Sequence, residues 1–250
     1  MSIKKIICLP DIQAPKHDEK ALSTALQIVR KERPDTLILV GDVVDLQSVS
    51  RFPPKDWDEA GMTASQELRS ANSILDRIDA VSRKAEKIYL EGNHDRRLEI
   101  WFVQNGSKLG CDFNGNNVQT QLGLLRRGYK YIPIRQQPYR IGKVAFIHGW
   151  FTNKYHAFKT VSSGGQNLIY GHTHDFQVYT GLHLDEEAPR MAMSIGCLCD
   201  FRQGYLEGKP MNWIHGIGLI YIDTETGKFW PQFVPIIDGE AVINGRRFKA

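Results

Sequence analysis

Short apolar runs alternate with helix-length amphipathic stretches from the first residues to about position 90, and this restricts the possible folds more than any other feature of the sequence. Lys5–Leu9 reads as a strand, Asp18–Lys31 as a helix and Thr36–Val40 as a second, fully buried strand. A helical stretch follows from about Trp57 to Arg83, then a short strand at Lys87–Leu90. Parallel strands need a crossover of helix length, so this order predicts βαβ units and a mainly parallel sheet. Beyond it, Arg96–Gln104 and Val118–Arg127 read as helices around a Gly- and Asn-rich loop at Gly106–Asn117. The remainder turns strand-rich, at Tyr139–Ile141, Val144–Ile147, Asn167–Tyr170, Phe176–Thr180, Arg190–Ile195, Gly218–Ile222 and Phe229–Val234. Hairpin turns are expected at Thr224–Gly227 and Ile243–Arg246. With no internal repeat and no interdomain linker, the expectation is one domain over residues 1–250 with a helical and loop insert at about 96–140. Two sheets packed face to face, with helices outside, fit the order.

Composition narrows the class. The chain is 42% hydrophobic and 24% charged, as in globular proteins, and no apolar run reaches the roughly 18 residues of a membrane span. Lys4 and Lys5 precede no long apolar segment, so the start does not read as a signal peptide. A net charge of +4 is too small to imply nucleic-acid binding by itself. Cys8, Cys111, Cys197 and Cys199 show no zinc-ribbon or disulfide spacing. They read as buried core thiols of a cytoplasmic protein, with Cys197 and Cys199 on one face of a strand.

The chemistry sits where strands end. Leu9-Pro10 leads to Asp11-Ile12-Gln13, and Leu39-Val40 to Gly41-Asp42-Val43-Val44-Asp45. Tyr89-Leu90 runs into Gly92-Asn93-His94-Asp95, Phe146-Ile147 into His148-Gly149, and Ile169-Tyr170 into Gly171-His172-Thr173-His174. Each piece alone is ordinary, since an Asp after a strand is usually a turn or cap residue. Together they place carboxylates and imidazoles at the edge where open α/β sheets bind ligands. Such a donor set suits Mn, Fe, Zn, Co or Ni better than Mg or Ca. A carboxylate can bridge two cations, and Asp42, with a glycine before it, is the natural bridge. Two cations about 3.5–4 Å apart hold a water, lower its pKa and stabilise the attacking and leaving oxygens of a phosphoryl transfer. His94 suits proton transfer, with Asp95 beside it as a candidate to orient the ring.

These motifs resemble the calcineurin-like metallophosphoesterase superfamily, with its D-x-H, G-D-x-x-D, G-N-H-[DE], lone H and G-H-x-H pattern. The resemblance extends from residue 11 to 174, and Ser194-Ile195-Gly196 is similar to a later turn of that family. It implies an α/β fold in a four-layer αββα sandwich and a hydrolase with two divalent metal ions, Mn first among them. It further implies that Asp11, Asp42 and His174 bind one metal while Asp42, Asn93, His148 and His172 bind the other. His94 would then assist catalysis, Asp95 would orient it, and Asp45 would lie behind the ligands. Gln13 stands where the family usually has a histidine ligand. A neutral amide oxygen is a weaker donor, so a weaker first metal is expected unless His17 reaches in instead. The protein-phosphatase signature G-D-x-V-D-R-G is not completed, because Leu46-Gln47 follow Asp45.

The expected substrate is a phosphate ester. Arg96, Arg97, Arg126, Arg127, Lys130, Arg135 and Arg140 are interleaved with Trp101, Phe102, Tyr129, Tyr131 and Tyr139. Gathered on one wall, they would track a DNA or RNA backbone, which favours a phosphodiesterase or nuclease. Scattered, they leave a small-molecule phosphomonoesterase, and a non-catalytic binding module of the same fold is the third reading.

Overall fold

The computed structural model describes residues 2–55, 57–106, 115–181, 189–202 and 211–250. The first half comprises β1 (Ile3–Leu9), α1 (Glu19–Glu32), β2 (Thr36–Leu39), α2 (Trp57–Gly61), α3 (Ala64–Val81), β3 (Glu86–Leu90), α4 (Arg97–Asn105), α5 (Val118–Gln121) and β4 (Tyr129–Ile132). The second comprises β5 (Tyr139–Ile141), β6 (Val144–Ile147), α6 (His156–Gly164), β7 (Asn167–Tyr170), β8 (Val178–Gly181) and β9 (Arg190–Ser194). The last strands are β10 (Gly216–Asp223), β11 (Phe229–Pro235), β12 (Glu240–Ile243) and β13 (Arg246–Lys249).

Strands β1 to β4 pair in parallel, as the βαβ alternation predicts, and β10 and β11 extend their sheet antiparallel in the order β11-β10-β1-β2-β3-β4. A second sheet, β5-β6-β7-β9-β8, keeps β6, β7 and β9 parallel between antiparallel edges. Side chains alternate across each strand. Ile7, Leu9, Leu37, Leu39 and Tyr89 therefore pack with Leu22, Ile28, Leu75 and Ile78 of the helices. Their neighbours Ile6, Cys8, Ile38, Val40, Ile88 and Leu90 meet Val144, Phe146, Ile169 and Met193 between the sheets. A third core joins Ala145, Ile147, Leu168 and Tyr170 to Val161 of α6. Helix, sheet, sheet and helix thus stack in four layers. Burial on both faces is why these strands read as unbroken apolar runs.

Local chemistry sets the ends of the elements. Asp18 caps α1 by accepting from the Ala21 amide at 2.7 Å. The helical stretch expected over Trp57–Arg83 is split, because Thr63 and Gln66 form a capping box that starts α3 afresh. The helix expected over Val118–Arg127 stops at Gln121, and the unpredicted β4 joins β3 in register from Lys87 with Tyr129 to Leu90 with Ile132. The 96–140 segment therefore supplies an edge strand to each sheet, β4 and β5, in addition to α4 and α5. Much of the expected Gly106–Asn117 loop, including Cys111, lies outside the described residues. Both hairpins form, the later one turning on Asn244 and Gly245 at φ 49° and 74°. Among the described residues no helix is long and apolar enough to cross a membrane.

Candidate metal centre

The loops after β1, β2 and β3 of one sheet meet those after β6 and β7 of the other. His148 is held first. Its Nδ1 donates to the Val40 carbonyl at 2.8 Å, which fixes the tautomer and leaves Nε2 facing inward. Around that nitrogen stand Asn93 Oδ1 at 2.9 Å, His172 Nδ1 at 3.1 Å and Asp42 Oδ2 at 3.2 Å. Four lone-pair atoms converge with too few protons among them, an arrangement a cation satisfies. Asp42, His148 and His172 offer ligand atoms all within 4.8 Å of one another. Burial disfavours the charge on His148, but the Asp42 carboxylate overrides it and lifts the imidazole to about 10. Burial and the neighbouring His148 press His172 down to about 4, which leaves it neutral.

A second half-site lies at the β1 end. Asp11 accepts from the His172 amide through Oδ2 at 2.9 Å. Its other oxygen is buried without a hydrogen-bond donor and faces His174 Nε2 at 3.3 Å. The Gln13 amide also stands 3.3 Å from that nitrogen, and rotation of the amide presents its oxygen there. His17 does not reach in, since its ring turns to Glu19 at 3.2 Å. An orphaned buried carboxylate oxygen opposite an imidazole nitrogen again fits a cation, with Gln13 as the weak member of the set.

The turns that carry these side chains are strained. Asp11, Gln13, Asp42, His172 and His174 all adopt left-handed backbone, with φ between 42° and 70°. Gly92 and Gly171 are dictated by close approach: a Cβ on either would overlap Asp42 Oδ1 or Asp11 Oδ2.

His94 stands beside this centre, and its partners differ from the expected ones. Its Nδ1 meets Asp45 Oδ1 at 2.7 Å, and its amide donates to Asp42 Oδ1 at 2.8 Å. The carboxylate that meets the ring is therefore that of Asp45, not Asp95. Asp95 instead accepts from the amides of Asp42 (2.9 Å), Val43 (3.1 Å), Val44 (3.3 Å) and Gly92 (2.9 Å), and from the Tyr89 hydroxyl (3.0 Å). It ties the β2 and β3 loops together from beneath. Arg97 is a further site residue. Its Nη2 donates to His94 Nε2 at 3.0 Å and its Nη1 to Asp45 Oδ1 at 3.1 Å. Its place in the first turn of α4, three residues after His94, was the available signal, one that the wider run of arginines obscured.

Gln13, Asp42, His94, Arg97, His172 and His174 open into one cavity of about 850 Å³. Its outer walls come from Phe52 and Lys55, from Lys154, and from Asn212 and Trp213, none of which the sequence singles out. Of the basic residues at 96–140 expected to form a wall, Arg97 alone lines this cavity. Arg127 is pinned to Asp76 and Asp79 at 2.6 and 2.8 Å, Arg140 binds Gln166, and Lys130 lies over the Tyr139 ring.

A four-layer sandwich whose strand ends gather carboxylates, imidazoles and an asparagine, with a further histidine beside them, is the arrangement of a metal-dependent phosphoesterase. The Metallophos model, calcineurin-like phosphoesterase, matches residues 4–176. The chain belongs to the calcineurin-like phosphoesterase family, and membership supports metal-dependent hydrolysis of a phosphate ester. It is 25% identical over 270 residues to the Gene 54 protein of Mycobacterium phage D29, covering 97% of each chain. The Gene 54 protein of Mycobacterium phage L5 is 25% identical over 260 residues, covering 97% of this chain and 98% of that one. Among solved structures, Vacuolar Protein Sorting 29 from Cryptosporidium parvum shares the fold at 10% identity and a TM-score of 0.50, covering 99% of this chain and 96% of that one.

Proposed function

We propose that this protein hydrolyses phosphodiesters of nucleic acids or nucleotides with two divalent cations, Mn first among them. The carrying observation is the convergence of Asp42, Asn93, His148 and His172 beneath a cavity of about 850 Å³ that His94 borders. Asp11, Gln13, His174 and Asp42 would hold one cation, and Asp42, Asn93, His148 and His172 the other. Cations held there supply Lewis acidity toward the phosphoryl oxygens and lower the pKa of a water. A lone phosphate leaves most of such a cavity unfilled, which favours a substrate with bulk on both sides of phosphorus. Phe52 and Trp213 offer faces for a base, and Arg97, Lys55 and Lys154 offer positive charge toward a backbone.

His94 is the general acid in this reading. Asp45 faces Nδ1 and aims the ring, while Arg97 donates to Nε2. A phosphoryl group gives the guanidinium a stronger acceptor, which frees Nε2 to take up a proton from solvent water and pass it to the leaving oxygen. A Mn-supplemented panel of a nitrophenyl diester, a nitrophenyl monoester and single-stranded DNA, with metal analysis of the same sample, tests the assignment. Diester and DNA turnover are expected, abolished by chelation. Turnover of the monoester alone shifts the reading to a small-molecule phosphomonoesterase, and metal uptake without turnover shifts it to a binding module. His94→Ala should slow DNA about 100-fold or more and spare the activated nitrophenyl diester, whose leaving group needs little protonation. Equal losses on both would assign His94 to phosphate positioning.

A further inference from the structure

Cys197 and Cys199, which the sequence reads as inert core thiols, lie against the far side of a metal ligand. His174 points Nε2 toward Asp11 and Gln13, and its Nδ1 faces Cys199 Sγ at 3.7 Å. A ring nitrogen of His174 and the sulfurs of Cys197 and Cys199 all lie within 4.8 Å of one another. A tetrahedral zinc with Zn–S near 2.3 Å and Zn–N near 2.0–2.1 Å separates its sulfur and nitrogen ligands by roughly 3.5 Å, so small side-chain shifts close this set on a cation. The backbone that carries it is fixed. The Cys197 amide donates to the Ile214 carbonyl at 3.0 Å, and Cys197 and Cys199 bridge to His215 and His17. Both thiols are buried, while His174 lines the large cavity and gives a route inward.

We propose that His174, Cys197 and Cys199 form a second kind of metal site, for a thiophilic divalent cation such as Zn²⁺ or Cd²⁺, back to back with the phosphoesterase centre through one imidazole. Binding replaces the two S–H protons, which leave to solvent, and forms two metal–thiolate bonds and one metal–imidazole bond. Softness separates the two sites: thiolates select zinc and cadmium, whereas the Asp11, Asp42 and Gln13 oxygens suit manganese. Because His174 is shared, a soft cation held from behind competes for the ligand of the first hard cation, so thiophilic metals inhibit through this site.

Titration of the metal-free protein with Cd²⁺, followed by the thiolate-to-cadmium absorbance in the ultraviolet, tests the site independently of activity. The band should saturate at one equivalent of thiolate-bound cadmium per chain and vanish in the Cys197→Ser, Cys199→Ser double variant, while Mn²⁺ binding persists there. A band unchanged in the double variant, and so arising from Cys8 or Cys111, overturns the proposal, as does cadmium uptake without a band. If the double variant misfolds, X-ray absorption at the cadmium edge of the unmodified protein decides. A shell containing two sulfurs supports the site, and a shell of oxygen and nitrogen alone means that Cys199 serves only as a hydrogen-bond partner of His174.

Discussion

Asp45 and Asp95 divide two tasks that adjacency in sequence would assign to one residue. Asp95 follows His94 directly, yet the chain turns there, so its carboxylate drops beneath the loop onto the amides of Asp42, Val43, Val44 and Gly92. Asp45 is distant in sequence but meets the imidazole at 2.7 Å. The two acids should therefore fail differently. Asp95→Ala leaves buried amides unpaired and should cost roughly 3–5 kcal/mol of stability, read as a large fall in denaturation midpoint. Asp45→Asn should keep the fold and lower turnover by about 100-fold, because the ring loses its orienting anion. Equal stability losses in both variants would remove the distinction. At this scale the types of the site residues were legible in the sequence and their pairings were not, since a one-dimensional motif does not state which way a side chain points.

Strand ends carry the site because β1, β2, β3, β6 and β7 are buried on both faces and so read as plain apolar runs, each stopping at a functional turn. Elements without that signal were harder to read. The buried positions Ala157, Thr160 and Val161 of α6 follow helical spacing, but Ser162, Ser163, Gly164 and Gly165 close behind them resemble a loop. In β4 the two buried residues, Tyr129 and Ile132, are three apart and on opposite faces, with an exposed Lys130 and a half-buried Tyr131 between them, so no period-2 pattern shows. Two predictions belong here. Gly171→Ala places a methyl against Asp11 Oδ2, so it should weaken metal binding at the first half-site about tenfold or more while the melting temperature shifts little. An unchanged manganese titration would mean that the turn has room to give.

The other concerns the contact between α1 and α3, where Arg77 forks onto Glu19 at 2.6 and 2.9 Å. That hydrogen bonding outweighs partial burial and holds the carboxyl down at about 2. A depressed acid stabilises the fold above its unfolded value and loses that contribution as pH falls, here between the ordinary value of about 4.3 and about 2. The pair is largely exposed, so the effect should stay below about 1 kcal/mol. Glu19→Gln should therefore melt slightly lower than the parent at neutral pH and equal to it near pH 2. A difference that persists to pH 2 would assign the effect to packing.

At the scale of the molecule, the question is whether positive charge is gathered for a polyanion or merely distributed. The net charge of +4 is modest, and the run of basic residues between Arg96 and Arg140 disperses in the fold: Arg127 is locked to Asp76 and Asp79, and Arg140 to Gln166. The charges that meet the cavity come from three separate places in the sequence, Lys55, Arg97 and Lys154, and only folding brings them together. If a single-stranded nucleic acid enters there, Lys55→Ala with Lys154→Ala should raise KM for DNA at least several-fold and leave the nitrophenyl diester nearly unaffected. Each phosphate contact to a single strand contributes about −0.7 to the slope of log affinity against log salt, so the double variant should be shallower by about 1.4. Arg126→Ala should change neither substrate, because Arg126 does not line the cavity. Parallel losses on DNA and the small diester, with an unaltered salt slope, would sink the nucleic-acid assignment. Charge at the cavity mouth would then act on any phosphate ester alike, and the bulk beside phosphorus would have to be recognised by Phe52 and Trp213 instead.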